Sequence, residues 1–374
     1  MYENLNFREW PFRTVPDDEF AGVWAGRPKT KQQLDRLLRK MQMVPKSGFH
    51  VLWANFGMGK THTLLHLKHL CQQTDGMLIP IFAVMPKRST GFIELYREIV
   101  QALPFNYLGD QLIKVSSTVG GNVGLHPMFE KAPGVVRALL AIRSGDLEKT
   151  TLARQWLSGK PGMTKSEMKY IEVSYRIRMP EDAINALDAL TDLAVFSGGG
   201  RKKLVIMIDE YQRIGELRAK AMNENNASLH GFFNNHPIGL ELILSFSFGK
   251  KSNLDFMLSS ELKSRAEPQS IMLDILSQTD AIEFLKDLLT QFRIKENSEN
   301  WAYPFTPEAL ESIVAYIEER KALTPRRVML YTNHVLLEYL LDQDPEPSGI
   351  CFEEISKYLE NPDLGASDTD SPQD

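Results

Sequence analysis

The stretch His50-Val-Leu-Trp-Ala-Asn-Phe-Gly-Met-Gly-Lys-Thr61 constrains this chain more than any other. Its apolar start, Phe49 to Ala54, reads as a short buried strand. Gly57 and Gly59 then let the backbone turn through positive φ without a Cβ penalty. Lys60 and Thr61 open a segment of helical pattern. Strand, glycine-bearing turn and helix start together aim backbone N–H groups into one concavity at the positive end of the helix. Such a cradle suits a phosphate. In the pattern G-x-x-x-x-G-K-[ST], the lysine reaches the β- and γ-phosphates and the hydroxyl ligates magnesium. Ala54 stands where that pattern has its first glycine, and this smallest of side chains is tolerated if residue 54 keeps a negative φ. The expected nucleotide contacts are Ala54, Asn55, Phe56, Gly57, Met58, Gly59, Lys60, Thr61 and His62, with Thr61 also on the metal. ATP and Mg2+ are the expected cofactors.

Leu204-Val-Ile-Met-Ile-Asp209-Glu210 is the second signal. An aliphatic strand delivers two carboxylates at its C-terminal end, where ligands bind in open α/β sheets. Asp209 is placed to hold magnesium, directly or through water. Glu210 is placed to polarise the attacking water as general base.

The 374 residues are 43% hydrophobic and 24% charged, an ordinary globular balance that buries a core without disulfides. Cys71 and Cys351 lie far apart, which points to reduced thiols and a cytoplasmic protein. No apolar run reaches the length of a membrane span. Met1 to Trp10 has no apolar signal core, so export is not expected. The net charge of -5 gives no global pull toward nucleic acid, though a local basic face remains open.

Five strands are expected: Phe49 to Ala54, Met77 to Val84, Lys203 to Asp209, Leu240 to Phe248 and Gln269 to Leu276. Pro80 fits the second of these only at a sheet edge or bulge. Helical patterns separate the strands, which indicates a parallel sheet with helices on both faces. Lys29 to Met43 is expected to be a helix with Leu34, Leu37, Leu38 and Met41 on one face, and Lys31, Arg36, Arg39 and Lys40 solvated, the alternative being a phosphate-contacting face. Phe7 to Phe20 is expected to wrap on the core surface. Pro104 to Phe196 reads as a helical insert, broken at Thr118 to Gly124 and Ser158 to Thr164. Residues 105–178 carry eleven Lys/Arg and six Asp/Glu, 11 − 6 = +5, so the insert is mildly basic. Ser197 to Gly200 reads as a surface turn. Later helices are expected at Thr279 to Phe292 with Thr279 as N-cap, Thr306 to Arg320, and Pro325 to Leu341. From Asn361 the chain is Asp/Ser/Pro-rich and is expected to be disordered. His62, His66 and His69 read as a partly solvated helix face rather than a zinc site. Lys202-Lys203 and Lys250-Lys251 read as solvated strand ends, and the tryptophans as packing.

In this order of motifs the chain resembles the AAA+ superfamily over roughly residues 20 to 342. The resemblance implies an α/β fold: an AAA+ P-loop core with a five-stranded parallel sheet, a long helical insert between strands two and three, and a C-terminal helical lid. Residues 1–103 would then hold the first part of the core, 104–196 the insert, 197–278 the rest of the core, 279–345 the lid and 346–374 a tail. Strand two lies at the sheet edge in that family, which would accommodate Pro80. Members carry a polar sensor at the end of strand four, here Ser245 or Ser247, with Ser247 preferred. Arg265, in Leu262-Lys-Ser-Arg265, resembles the arginine finger of origin-recognition and Cdc6-type members. Thr324-Pro-Arg-Arg327 resembles the second sensor, with Arg326 the better match. The family often has glycine where Leu323 stands, which leaves the choice between Arg326 and Arg327 open. Arg27, in Trp24-Ala-Gly-Arg27, resembles the box that flanks the base. The combination of a long helical insert containing Trp156-Leu-Ser-Gly159, then the Asp-Glu strand, then the Pro-Arg lid is similar to ATP-binding proteins of BREX-type phage-defence loci. There is also similarity to TniB- and ExeA-like transposition ATPases.

The resemblance implies a Mg-dependent ATPase working as an oligomeric switch or motor on DNA or a DNA-associated complex, in defence or mobile-element biology. Its partners would be copies of itself, DNA held without sequence preference, or a protein, and no membrane. The competing reading is a slow or non-hydrolysing nucleotide-dependent scaffold, against which Glu210 argues. A small-molecule kinase is a third reading, disfavoured by the Pro-Arg lid.

Overall fold

The structure, a computed structural model, describes residues 2–196, 201–247, 254–266, 270–295, 300–343 and 349–359. The Ser197 to Gly200 turn, Phe248, Lys250-Lys251, Gln269 and the tail from Asn361 lie outside these. The chain divides into two compact units. One comprises Leu34–Trp53 and Leu67–Ile271; the other comprises Met1–Gln33, Ala54–His66 and Met272–Asp374.

Five strands form one sheet: β1 (Gly48–Ala54), β2 (Leu78–Val84), β3 (Lys203–Asp209), β4 (Leu240–Ser247) and β5 (Ser270–Met272), in the order β2-β3-β4-β1-β5. β3 pairs in parallel with both β2 and β4. Every residue of β3 and β4 is buried, as a continuous aliphatic run requires when helices cover both faces. Pro80 sits on the edge strand β2, where a residue without an N–H is tolerated.

The helices are α1 (Pro28–Met43), α2 (Lys60–Gln72), α3 (Phe92–Gln101), α4 (Phe105–Thr118), α5 (Pro133–Arg143), α6 (Leu147–Leu157), α7 (Lys165–Tyr170) and α8 (Pro180–Val195). After β3 come α9 (Ala219–Asn235), α10 (Leu254–Met257) and α11 (Ser260–Ala266), and after β5 come α12 (Gln278–Phe292), α13 (Pro307–Arg320), α14 (Pro325–Asp342) and α15 (Phe352–Leu359). Lys31, Arg36, Arg39 and Lys40 are all exposed on α1, while Leu34, Leu37 and Met41 are buried.

In the larger unit, α3, α4, α5, α6, α8 and α9 join the sheet in one hydrophobic cluster. Leu95, Leu112, Leu139, Trp156, Leu187 and Phe232 pack there with Ile81, Ile206 and Leu242. Trp156 is buried and donates from Nε1 to the Tyr175 carbonyl at 2.6 Å. A Cβ on Gly134 would lie 2.5 Å from that indole, so only glycine lets α5 approach it. The two expected breaks are present. One carries Gly120 and Gly121 at positive φ; the other ends at Thr164, which forms a capping box with Glu167.

Four expectations need correction. Lys203 is not a solvated end: it is 1% exposed and ion-paired with Glu241, which also bonds His50 Nε2 at 2.8 Å. Lysine at the start of a buried strand needs a partner because desolvating an unpaired ammonium is costly. Ser277, not Thr279, caps α12, its hydroxyl accepting from Asp280 N–H at 3.1 Å in a capping box. β5 stops at Met272, and Leu276 N–H donates to the Leu323 carbonyl at 3.0 Å instead of to a strand. In the smaller unit Phe7 and Phe12 are core rather than surface, clustered with Leu285, Leu289, Ile313 and Val335.

His236 at the end of α9 is 4% exposed, with Asp188 Oδ1 at 3.0 Å from Nε2 and Asp192 Oδ1 at 3.3 Å from Nδ1. Burial opposes its charge, but the two carboxylates outweigh burial and push the imidazole up to about 9. A raised native pKa means the stabilisation is full below the ordinary value of 6.5 and is lost as pH rises through about 9. Denaturant titrations of the wild type are expected to show a loss on the order of 2–3 kcal/mol between pH 6.5 and 10. His236→Gln is expected to lack that step; an identical pH profile would remove His236 from the account.

Candidate nucleotide site

The smaller unit carries the glycine loop. β1 ends at Ala54, which is not among the residues of positive φ, so the alanine keeps the conformation the substitution requires. Gly57 and Gly59 have φ of 75° and 85°, and α2 starts at Lys60. Lys60 is 5% exposed, and its ammonium donates to the carbonyls of Asn55 at 3.0 Å and Ala54 at 3.4 Å. The loop therefore holds the lysine folded beneath it. Met58 is buried and anchors the loop, whereas Asn55 and Phe56 are exposed. Thr61 is half-buried.

Two further groups of the same unit meet this loop. Thr324 caps α14 by accepting from Arg327 N–H at 3.2 Å. The N–H of Arg326 donates to the Gly57 carbonyl at 3.3 Å. A Cβ on Gly57 would come within 3.2 Å of Thr324 Oγ1 and 3.4 Å of Arg326 Cβ. Of the two arginines, Arg326 is thus the one beside the loop, with its side chain exposed; Arg327 Nη1 donates to the Ala322 carbonyl.

The second group is the 20–27 segment. His62 Nε2 lies 2.8 Å from the Val23 carbonyl, and His66 Nδ1 lies 2.7 Å from that of Ala21. The Trp24 ring lies tilted against the His66 ring, with centroids 4.8 Å apart. His66 is buried while His62 and His69 are half-buried, so the expected partly solvated face packs most closely at His66. Burial holds the His62 imidazole below its ordinary pKa, leaving it neutral near pH 7. Arg27 has φ of 51° and donates from Nη2 to the Asp274 carbonyl at 2.8 Å. Its Nε is buried without a partner. Burial, opposed by Asp274 and Asp280, pushes this guanidinium down to about 10. A buried donor left over in this way suits a polar ligand that completes it.

The larger unit carries the acids. Asp209 is 2% exposed; its Oδ1 accepts from the Ser245 hydroxyl and from Glu210 N–H at 2.9 Å. Glu210 occupies the left-handed region, φ 56° and ψ 33°, which costs a residue with a Cβ about 1–2 kcal/mol. That twist turns its carboxylate out at the strand end. Gln212 Nε2 donates to its Oε2 at 2.8 Å, Arg213 Nη2 lies 3.4 Å away, and Ser247 Oγ faces Oε1 at 3.5 Å. Ser247 N–H also donates to Gln212 Oε1 at 3.0 Å. The two sensor candidates thus divide the work: Ser245 reaches Asp209 and Ser247 reaches Glu210. Gln212 and Arg213 were missed by the sequence reading. Their signal is local, because a 3-10 turn over Tyr211–Glu216 brings positions two and three beyond Glu210 back to its side chain.

Arg265 is not brought to these acids. Its guanidinium donates to Asn234 Oδ1 at 2.6 Å and lies over the Phe233 ring. Among the described residues no group of three or more His, Cys, Asp or Glu could hold a metal. Thr61 and Asp209 each carry a hard oxygen donor of the kind magnesium takes. Both cysteines are free, and burial pushes the Cys71 thiol up to about 12. No helix of the described residues is long and apolar enough to cross a membrane.

Comparison with solved structures finds this fold again. The chain is similar to the Aeropyrum pernix ORC2 protein in its ADPNP-ADP complexes, at 12% identity and a TM-score of 0.53, over 93% of this chain and 69% of that one. It is likewise similar to the A. pernix ORC1 protein in complex with DNA, at 12% identity and a TM-score of 0.50, over 94% and 69%. No family model matches the chain, and no curated protein does. At that identity the likeness is one of fold.

Proposed function

We propose that this chain is a Mg-dependent ATPase that works as an oligomeric switch or motor on DNA or a DNA-bound complex. The observation that carries the reading is the loop itself: a strand end, two positive-φ glycines and a buried lysine at a helix start, with the lid residues Thr324 and Arg326 against it. Lys60 would exchange its loop carbonyls for the β- and γ-phosphates. The backbone N–H groups of residues 55–61 would cradle them, and Arg326 would sense the γ-phosphate. Arg27 and His62 would line the base end. Thr61 at the glycine loop and Asp209 at the end of β3 would each offer magnesium an oxygen, and the ion would supply charge neutralisation for the phosphate oxygens. Glu210 would orient and deprotonate the attacking water, with Ser247 steering its carboxylate and Ser245 that of Asp209.

Arg265 has no task at the acids of its own chain, which supports its acting on a neighbouring copy. The A. pernix ORC1 neighbour is described in complex with DNA, and residues 105–178 of this chain are mildly basic. Both favour DNA as the partner of the proposed oligomer. The domain division and cytoplasmic location expected above belong to the same reading. One observation favours the slower switch as a second reading: Gln212 and Arg213 already occupy the Glu210 carboxylate, so turnover requires its release.

Arg265→Ala is the discriminating variant. It is expected to bind ATP normally and to lose about 10³-fold or more in turnover. Turnover is expected to recover in part when it is mixed with Glu210→Gln chains, since each supplies what the other lacks. Full activity of Arg265→Ala by itself would leave the trans-acting finger without support.

A further inference from the structure

The Trp156-Leu-Ser-Gly159 motif, which the ATPase reading leaves unused, builds a cavity of its own. Buried Trp156 fixes the end of α6, and Tyr96 OH donates to the Leu157 carbonyl at 2.5 Å. Arg97 on α3 then donates from Nε to the Ser158 carbonyl at 3.3 Å and from Nη2 to the Gly159 carbonyl at 3.2 Å. Between these elements lies a cavity of about 550 Å³ lined by Arg97, Gln101, Arg154, Gln155, Ser158 and Lys160, beside Pro161. That volume lies within the range of small-molecule sites.

Its charge is one-sided. Among the described residues three cations line it and no carboxylate does. Other arginines of the insert are spent on acids, Arg143 on Asp110 and Arg137 on Glu172. Arg97, Arg154 and Lys160 make no ion pair among the described residues. The carboxylate that senses Lys160 is Glu167, which is held low first by Thr164 and only last by the lysine. The end of α6 would repel an anion if its carbonyls were open, but Arg97 and the N–H groups of Ser158, Gly159 and Lys160 occupy carbonyls there. Arg154 lies over the Phe105 ring at 5.6 Å, which orients its planar fork.

We propose that this cavity binds a small molecule bearing a phosphate monoester or a pyrophosphate. Three cations in one concavity match a group of about two charges or more, whereas a backbone phosphodiester brings one. Among the described residues no aromatic ring lines the cavity to stack a base, so recognition is of the phosphate end and its neighbouring hydroxyls, through Gln101, Gln155 and Ser158.

Inorganic pyrophosphate is the probe, titrated calorimetrically into the full chain. Wild type is expected to bind at two sites, the cavity and the glycine loop. Lys60→Ala is expected to keep the cavity site. Adding Arg154→Gln and Lys160→Gln to it is expected to weaken that site at least tenfold, while Arg154→Lys with Lys160→Arg retains it. Arg154 and Lys160 are exposed, so unchanged melting temperatures are expected for these variants. If Lys60→Ala alone abolishes binding, or the glutamine pair leaves it unchanged, the proposal is overturned. If the glutamine pair instead weakens only a duplex oligonucleotide, the cavity serves a nucleic-acid backbone and the small-molecule proposal is equally overturned. Failure of the ATPase reading looks different: wild type and Lys60→Ala would then titrate alike, and the glutamine pair would remove all binding.

Discussion

Glu210→Gln is expected to bind ATP about as tightly as wild type and to hydrolyse it about 10²–10⁴-fold more slowly. The amide keeps the shape of the carboxylate: its oxygen in the Oε2 place still accepts from Gln212, and its NH2 in the Oε1 place can donate to Ser247 Oγ, so the surroundings stay in place. What it loses is the ability to take a proton from water. The backbone supports a functional role for this position. Glu210 holds a left-handed conformation that costs about 1–2 kcal/mol for any residue with a Cβ, and asparagine or glycine would hold it more cheaply. Strain of this kind persists where surrounding structure enforces it. Glu210→Gly should therefore match or exceed wild-type stability while also losing turnover. Measured kcat and ATP affinity for both variants, with their denaturant midpoints, separate the two effects. Retention of wild-type kcat by Glu210→Gln would remove the general base from the mechanism.

The second large effect is on stability. Glu241→Ala is expected to destabilise the chain by about 3–5 kcal/mol, the usual cost of breaking a buried ion pair from one side. Glu241 is 3% exposed at the start of β4, where it meets the Lys203 ammonium and His50 Nε2. Its removal leaves Lys203 in the core with the Lys46 carbonyl, at 2.8 Å, as the acceptor still in place. A Cβ on Gly48 would fall 2.1 Å from Glu241 Oε2, so the cluster is closely walled and water has little room to compensate. Replacing His50, Lys203 and Glu241 together by apolar residues of similar volume is expected to recover most of the loss, because no charge is then stranded. Denaturant midpoints decide it: a cost below about 1 kcal/mol for Glu241→Ala would mean that solvent reaches Lys203.

Both ends of β3 show where sequence reading succeeds and where it stops. The run from Leu204 to Ile208 is aliphatic without interruption, and a strand covered on two faces follows from that alone. The carboxylates at its C-terminal end were equally legible, because strand ends collect ligands in such sheets. Lys203 at the other end was not. Read alone a lysine belongs in water, and the glutamate that draws it inward comes from a strand thirty-eight positions away. The same limit hid the role of Ser245. Two serines alternate on β4, and only the packing of β4 beside β3 assigns one to Asp209 and the other to Glu210. Gly57 and Gly59 were read from local chemistry and do take positive φ. Thr279 is a plausible cap by residue type, but the reciprocal bonds with Asp280 give the role to Ser277. The N-terminal aromatics were placed on the surface for want of a visible partner. Their partners are α12, α13 and α14, at the far end of the chain.

Steady-state ATP hydrolysis by the full chain with magnesium, followed over a range of protein concentrations beside Lys60→Ala, tests the central claim most directly. The account predicts turnover per chain that rises with concentration, as copies assemble, and none above background in Lys60→Ala. Turnover that is equal in the two proteins, or a wild type that neither binds nor hydrolyses ATP at any concentration, would contradict it.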